Sequence, residues 1–240
     1  MSLVITENLQ IARQMMHRAC KLSGVSDVVV VGITKTRSAS EVADLIMAGC
    51  VNIGENRVQE WEEKYPLVLD ELKKRGFPDS FTRHLVGQLQ SNKARRAVLD
   101  FDVIQSINSY KLAERISRIV HEESLETREC LIQLKLGDEE TKTGMDLDEF
   151  KRDFEVLIGL DGIRIIGLML IAPLWAIGEE ARPYYHQMHD IFQSYKAQQD
   201  SRFEMRYLSM GMSADFDVAI EEGANMVRIG RALFEGFQNL

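Results

Sequence analysis

Cysteine is scarce in this chain: three residues in 240, far apart at Cys20, Cys50 and Cys130. No CxxC pair and no metal-ligand spacing joins them, so neither a disulfide framework nor a thiolate metal site is indicated. Each lies in or beside an apolar segment, as a small buried hydrophobe of a reducing compartment does. Long apolar runs are missing too. The longest uncharged stretch, IIGLMLIAPLWAIG at 165–178, has 14 residues and is broken by Pro173, whereas a bilayer span needs about 20. The opening MSLVITENLQ has neither a basic region nor an apolar core, so no secretory signal is read there. A soluble, cytoplasmic protein with no membrane partner is expected. Basic residues are outnumbered, 29 Lys and Arg against 37 Asp and Glu, for a net charge of −8. With no dense cationic block, nucleic acid is not expected as a partner. The nearest approach, NKARRAV at 92–98, reads as the solvated face of a helix. No low-complexity tract or Ser/Pro linker divides the chain, so one domain over residues 1–240 is expected. A chain of this length hides roughly 70–75% of its unfolded surface.

What the sequence does contain is alternation. Short β-rich runs are read at 27–33, 50–53, 81–87, 101–107, 130–136, 163–171, 205–210 and 225–230. Longer stretches of helical spacing separate them. In SASEVADLIMAG (38–49), Val42, Leu45 and Ile46 share a face, with Ser38 placed to cap the start and Gly49 to stop the end. Residues 109–123 repeat the pattern with Leu112, Ile116 and Ile119, and a leading helix is read at 5–22. Eight strands each followed by a helix predict a (β/α)8 TIM barrel with an extra N-terminal helix; an open doubly wound sheet is the alternative.

In a barrel, chemistry gathers where strands end. Alternation puts Val29, Val31, Ile33 and Lys35 on one face of the first strand. A lysine capping such an apolar column loses hydration, which favours the free amine, and a free amine attacks aldehydes to form a Schiff base. The bland alternative is a lysine curling into solvent. The block LSMGMSADFDVAIEEGANMVRIGRALFEG (208–236) runs from the seventh strand through Gly211 to a helix start at Ser213, then from the eighth strand through Gly230 to another. Small residues let the backbone approach a ligand, and the loops after strands seven and eight frequently cradle phosphate; ordinary turn chemistry is the competing reading. Arg228 lies within the eighth strand and needs a partner, either a barrel carboxylate or a ligand atom. Asn56 reads as a ligand contact or a helix cap, and His84 as a satisfied core histidine.

Together, GITKTRS, IGENRVQE, HLVGQLQSNK, ETKTGM, GLMLIAP, LSMGMSADFDVAIEEGANMVRIG and LFEG closely resemble the YggS/PROSC family, the pyridoxal phosphate homeostasis proteins, in order over residues 28–236. The resemblance implies a barrel of the alanine-racemase N-terminal type that binds pyridoxal 5′-phosphate (PLP). Lys35 matches the lysine that forms the internal aldimine. Ser209, Ser213, Gly230 and Arg231 match positions around the phosphate, the last two through backbone N–H. Arg228 matches the arginine facing the pyridine nitrogen, and Asn56 the asparagine near the ring. An arginine there leaves the ring nitrogen unprotonated, so the cofactor is a weak electron sink.

Three departures stand out. Arg37-Ser38 replaces the frequent Lys-Pro, Arg231 replaces a threonine after Gly230, and Leu134-Lys135 stands where the family has Val-Asn. If Lys135 points inward, a second cation near Lys35 favours its neutral form. The function expected is PLP homeostasis, with the cofactor buffered on Lys35 or delivered to apo PLP-dependent enzymes by a monomeric protein. A weak amino-acid racemase and a Schiff-base aldolase are the alternatives. Robust catalysis is not expected: racemisation needs a base on each face of the α-carbon, and Tyr207 lies too close to the ligand cradle to replace the second-domain tyrosine of alanine racemases.

Overall fold

The computed structural model describes residues 2–137, 143–198 and 200–239. Its strands are β1 (Val29–Ile33), β2 (Asn52–Glu55), β3 (Thr82–Leu85), β4 (Val103–Ile107), β5 (Arg128–Leu134), β6 (Ile163–Leu170), β7 (Tyr207–Ser209) and β8 (Met226–Ile229). Each pairs in parallel with the next, and β8 returns to β1, with Val29 opposite Met226 and Val31 opposite Arg228. The sheet is a closed barrel, which removes the open-sheet alternative. After the leading α1 (Leu3–Ser23), one α-helix follows each strand. These are α2 (Ala39–Met47), α3 (Val58–Lys74), α4 (Ala94–Asp100), α5 (Tyr110–Glu122), α6 (Leu147–Ile158), α7 (Arg182–Lys196), α8 (Phe216–Glu221) and α9 (Arg231–Glu235).

Local chemistry sets these boundaries. Ser38 accepts from the Glu41 N–H while Glu41 reaches back to the Ser38 N–H, a reciprocal box that starts α2. Ser109 caps α5 by accepting from Leu112. In α1, Ile5, Leu9, Ala12, Met16 and Ala19 recur at three- and four-residue spacing and are buried, and the helix lies across α8 and α9. Asn8 ties it there by donating to the Leu233 carbonyl at 3.1 Å. Strand β5 begins two residues before its apolar run. Arg128 and Glu129 still join the ladder, because Arg128 donates to the Val98 carbonyl and Glu129 pairs with Arg206. The basic face at 92–98 is solvated as expected, Arg95 and Arg96 forming ion pairs with Glu123 and Glu62.

Inside the barrel, Val29, Val31 and Ile33 of β1 pack with Val86, Met226 and Tyr207. Val103, Leu131, Ile166 and Met169 fill the other side. The inward register of β1 is therefore as alternation predicts. Gly54 makes room for it: a β-carbon there would lie 2.6 Å from Ile33 Cδ1 and 2.8 Å from Val31 Cγ1. Cys50 and Cys130 are buried, and desolvation pushes their thiols up to about 11 and about 12, so both serve as packing groups. No described helix is long and apolar enough to cross a membrane.

Candidate functional site

Strand β1 ends at Ile33, and a turn carries Lys35 beyond the barrel rim. The amine is exposed, not dehydrated as its place on the apolar column suggests, because the turn lifts it clear of the packed layers below. The turn itself is rigidly tied. The Thr34 N–H donates to the Gly54 carbonyl at 3.0 Å and the Arg37 N–H to the Thr34 carbonyl at 3.0 Å. Arg37, one of the departures from the family pattern, stacks over Phe234 with its guanidinium carbon 4.7 Å from the ring centroid and pairs with Glu235. Arg37 thus clips the β1 turn onto α9.

Beside β1 lies the turn after β8. Gly230 sits against Ile33: an added β-carbon would be 3.3 Å from Ile33 Cβ, so the backbone passes close by. The Gly230 N–H donates to Ser213 Oγ at 3.2 Å, which joins the turns after β7 and β8. Ser213 therefore does not cap α8, as its position suggests; that helix starts after Asp215, and the Ser213 hydroxyl turns across to Gly230. Asp215 shapes the β7 turn by accepting from the Met212 N–H at 2.6 Å, and burial raises its carboxyl above the usual range. Gly211 has a φ of 88° and no space for a side chain, with Ala219 Cβ 2.5 Å and Phe216 Cα 2.9 Å from where its β-carbon would be. Only glycine satisfies both conditions.

Beneath these turns a directed hydrogen-bond chain crosses the barrel. Arg228, 4% exposed, donates from Nη1 to Ser209 Oγ at 2.9 Å and from Nη2 to the Leu170 carbonyl at 2.8 Å. Ser209 passes its own proton to Gln105 Oε1 at 2.7 Å. Gln105 Nε2 lies 3.0 Å from His84 Nδ1, and His84 Nε2 lies 3.0 Å from Asn52 Oδ1. An amide nitrogen only donates, so His84 Nδ1 accepts, and the imidazole proton sits on Nε2 and goes to Asn52. The ring is neutral, its basicity brought down to about 4 by burial. Burial also lowers the Arg228 guanidinium, to about 10, which leaves it charged at neutral pH. Its described hydrogen-bond partners are a hydroxyl and a carbonyl, while the Asp215 carboxylate acts on its charge through space.

Ser209 therefore lies inside the barrel and orients Arg228, its hydroxyl accepting from that guanidinium and donating to Gln105. Asn56 lies half-buried just past β2 and does not cap α3, whose first flanking residue is Arg57. Gly87 presses on it: a β-carbon there would lie 2.1 Å from the Asn56 carbonyl oxygen. Arg231 is exposed beside Gly230. Lys135 continues the inward register of Leu131 and Gln133, but its ammonium sits 3.1 Å from the Asp146 carboxylate, which balances its charge locally. Residues 138–142 of the stretch after β5, including part of the ETKTGM motif, lie outside the described residues. Tyr207 packs in the interior two residues before Ser209, under the ring-facing Arg206. A cavity of about 410 Å³ at the opposite, N-terminal face touches only the far end of the polar chain, at Asn52.

Sequence reasoning missed Gln105 and left His84 as an isolated core residue. A polar residue at an inward position of each of β3, β4, β7 and β8 was the available signal. It also missed Glu55 at the end of β2 and Lys64 of α3, whose ion pair at 2.8 Å crosses from strand to helix and leaves no local pattern.

Residues 4–236 match the family described as alanine racemase, N-terminal domain. The pyridoxal phosphate homeostasis protein of Escherichia coli (strain K12) is 34% identical over 235 residues, covering 96% of this chain and 95% of that protein. PipY of Synechococcus elongatus PCC7942, solved with PLP bound, is 34% identical with a TM-score of 0.81, covering 96% of this chain and 99% of that one. Alanine racemase from Bartonella henselae, at 12% identity and a TM-score of 0.65, shares the fold; the chain spans 58% of its length.

Proposed function

The chain belongs to the alanine racemase N-terminal domain family, among the pyridoxal phosphate homeostasis proteins, and from that premise we propose that it binds PLP and buffers or delivers it. PipY, similar over nearly its full length, has been solved with PLP bound. The observation that carries the reading is the close approach of Gly230 to Ile33, which brings the joined turns after β7 and β8 beside the end of β1, two residues before Lys35. The donor set fits the coenzyme. An exposed primary amine, a hydroxyl and N–H pair, and a buried guanidinium answer an aldehyde, a phosphate and a ring nitrogen respectively. When bound, PLP supplies an aldehyde that an amine captures reversibly.

In this reading Lys35 holds the aldehyde carbon. Ser213 Oγ and the N–H groups of Gly230 and Arg231 hold the phosphate, the Gly230 N–H exchanging its bond to Ser213 for one to a phosphate oxygen, with the Arg231 side chain adding an exposed cation where a hydroxyl is frequent. Arg228 is held by Ser209 and Leu170 as a fixed donor toward the ring nitrogen, and Asn56 stands beside the ring. The guanidinium keeps its proton at neutral pH, so it donates a hydrogen bond without protonating the ring. That suits a protein that holds the coenzyme more than one that drives carbanion chemistry. Tyr207 is packed in the barrel interior, so we give it no role as a second base. The recipients of released PLP are apo PLP-dependent enzymes.

Titration of the purified protein with PLP, followed by visible absorbance, tests this. A new saturable band is expected in the wild type and its loss in Lys35→Ala; a wild-type protein that binds no PLP refutes the reading.

A further inference from the structure

Lys35 is flanked by two residues whose backbone is held by a partly buried charge cluster on the outer side of the barrel. Lys64 of α3 projects under the β1 turn, and its three N–H donors have three acceptors. They are the Thr34 carbonyl at 2.8 Å, Glu55 Oε1 at 2.8 Å and Glu60 Oε1 at 3.0 Å. The Thr34 hydroxyl donates to the same Glu55 oxygen at 2.7 Å. On the other side of Lys35, the Thr36 N–H donates to Glu60 Oε1 at 2.6 Å. Thr34 is fully buried and Glu55 is 1% exposed. Thr36 has a φ of 63°, in the left-handed region that β-branched residues avoid. Such a backbone persists only where its surroundings over-determine it, and here the Glu60 carboxylate does so.

We propose that Lys64, Glu55 and Glu60 form a clamp that positions Lys35, fixing Thr34 and Thr36 so that the amine leaves the turn toward Gly230. The proposal rests on the PLP reading above, which names what Lys35 captures. Lys64 and Glu60 act through the backbone and touch no ligand; they are positioning residues. The cost of ordering the backbone that carries Lys35 is met before the aldehyde arrives, which raises the effective concentration of the amine. Glu55 carries the ammonium's charge in a site where an unpaired cation is costly. Glu60 links the ammonium to the Thr36 N–H and so couples α3 to the turn.

The clamp predicts a split that loss of structure does not produce. Glu60 is partly exposed, so Glu60→Ala is expected to fold. It removes the acceptor for Thr36, whereas Glu60→Gln keeps an oxygen there. Lys64→Met is the stronger variant. Four measurements on the full chain are compared: the rate of PLP capture, acylation of Lys35 by a small amine-reactive reagent read by mass spectrometry, binding of pyridoxine 5′-phosphate, which lacks the aldehyde, and amide exchange at Thr36. In Glu60→Ala, capture is expected to slow about tenfold, as a loosely held attacking group does. Acylation and pyridoxine 5′-phosphate binding stay at wild-type levels, Thr36 exchange speeds up, and Glu60→Gln restores most of the capture rate. Folded Glu60→Ala and Lys64→Met proteins that capture PLP at the wild-type rate overturn the clamp. If the wild type captures no PLP, the functional reading fails, and Thr36 exchange decides the clamp by itself: unchanged exchange in Glu60→Ala overturns it.

Discussion

Replacing Gln105 with leucine is the sharpest perturbation of the buried chain beneath the site. Gln105 is fully buried, and its two ends serve different neighbours, Oε1 accepting from Ser209 and Nε2 donating to His84. Leucine has nearly the same shape and neither group. Ser209 Oγ keeps its bond from Arg228 but loses the acceptor for its own proton, and His84 Nδ1 loses its donor. Both residues are at most 2% exposed, so water does not replace either bond. An orphaned buried polar group costs about 1–3 kcal/mol, so the two together cost roughly 2–6 kcal/mol. For a protein of this length that is a fall in Tm of roughly 5–20 °C in a thermal melt. Gln105→Glu supplies the internal comparison. It keeps the acceptor for Ser209 and sets a carboxylate against His84 Nδ1, a clash relieved when the imidazole takes up a proton, so its loss should be smaller and should shrink as pH falls. A Gln105→Leu protein that melts within about 2 °C of wild type, or two variants equally destabilised at every pH, refutes the directed chain.

Three further outcomes follow from the same geometry. The folded state holds His84 neutral down to about pH 4, while the unfolded chain protonates it near 6.5. Its contribution is present above 6.5 and lost as pH falls toward 4, about 3 kcal/mol in all; chemical denaturation of wild type and His84→Gln across that window should differ in slope, and equal slopes would count against a buried neutral ring. Gly87→Ala forces a β-carbon onto the Asn56 carbonyl, so it should cost about 1–3 kcal/mol and weaken PLP binding; an unaltered melt and affinity would mean that Asn56 has room to move. Arg231→Thr replaces a long exposed cation with a short hydroxyl, so the salt dependence of PLP affinity, read at two ionic strengths, should flatten. Equal salt dependence in both proteins would remove the Arg231 side chain from the phosphate site.

Much of the fold was legible because its signals are local. The β1 face was readable from Val29, Val31 and Ile33, which do line the interior, and the α2 start from Ser38 and Glu41 three residues apart. Closure of eight strands followed from the count of alternating units. The site was less legible, since its polar partners meet across the barrel. The family resemblance places Ser209 among the phosphate positions, and no local pattern reveals that its hydroxyl bonds Gln105, 104 residues away. Ser213 looks like a helix cap, but Gly230 is the group it reaches. Lys64 is one polar residue among many on α3, and nothing in its neighbourhood reveals that its ammonium lies under the Thr34 carbonyl.

The most direct test of the account is to load the protein with PLP, reduce it with borohydride, digest it and locate the modified lysine by mass spectrometry. A pyridoxyl adduct on the peptide bearing Lys35, absent from Lys35→Ala and absent from the buried, fully bonded Lys64, is the predicted result. No adduct, or an adduct carried mainly by another lysine, would contradict it.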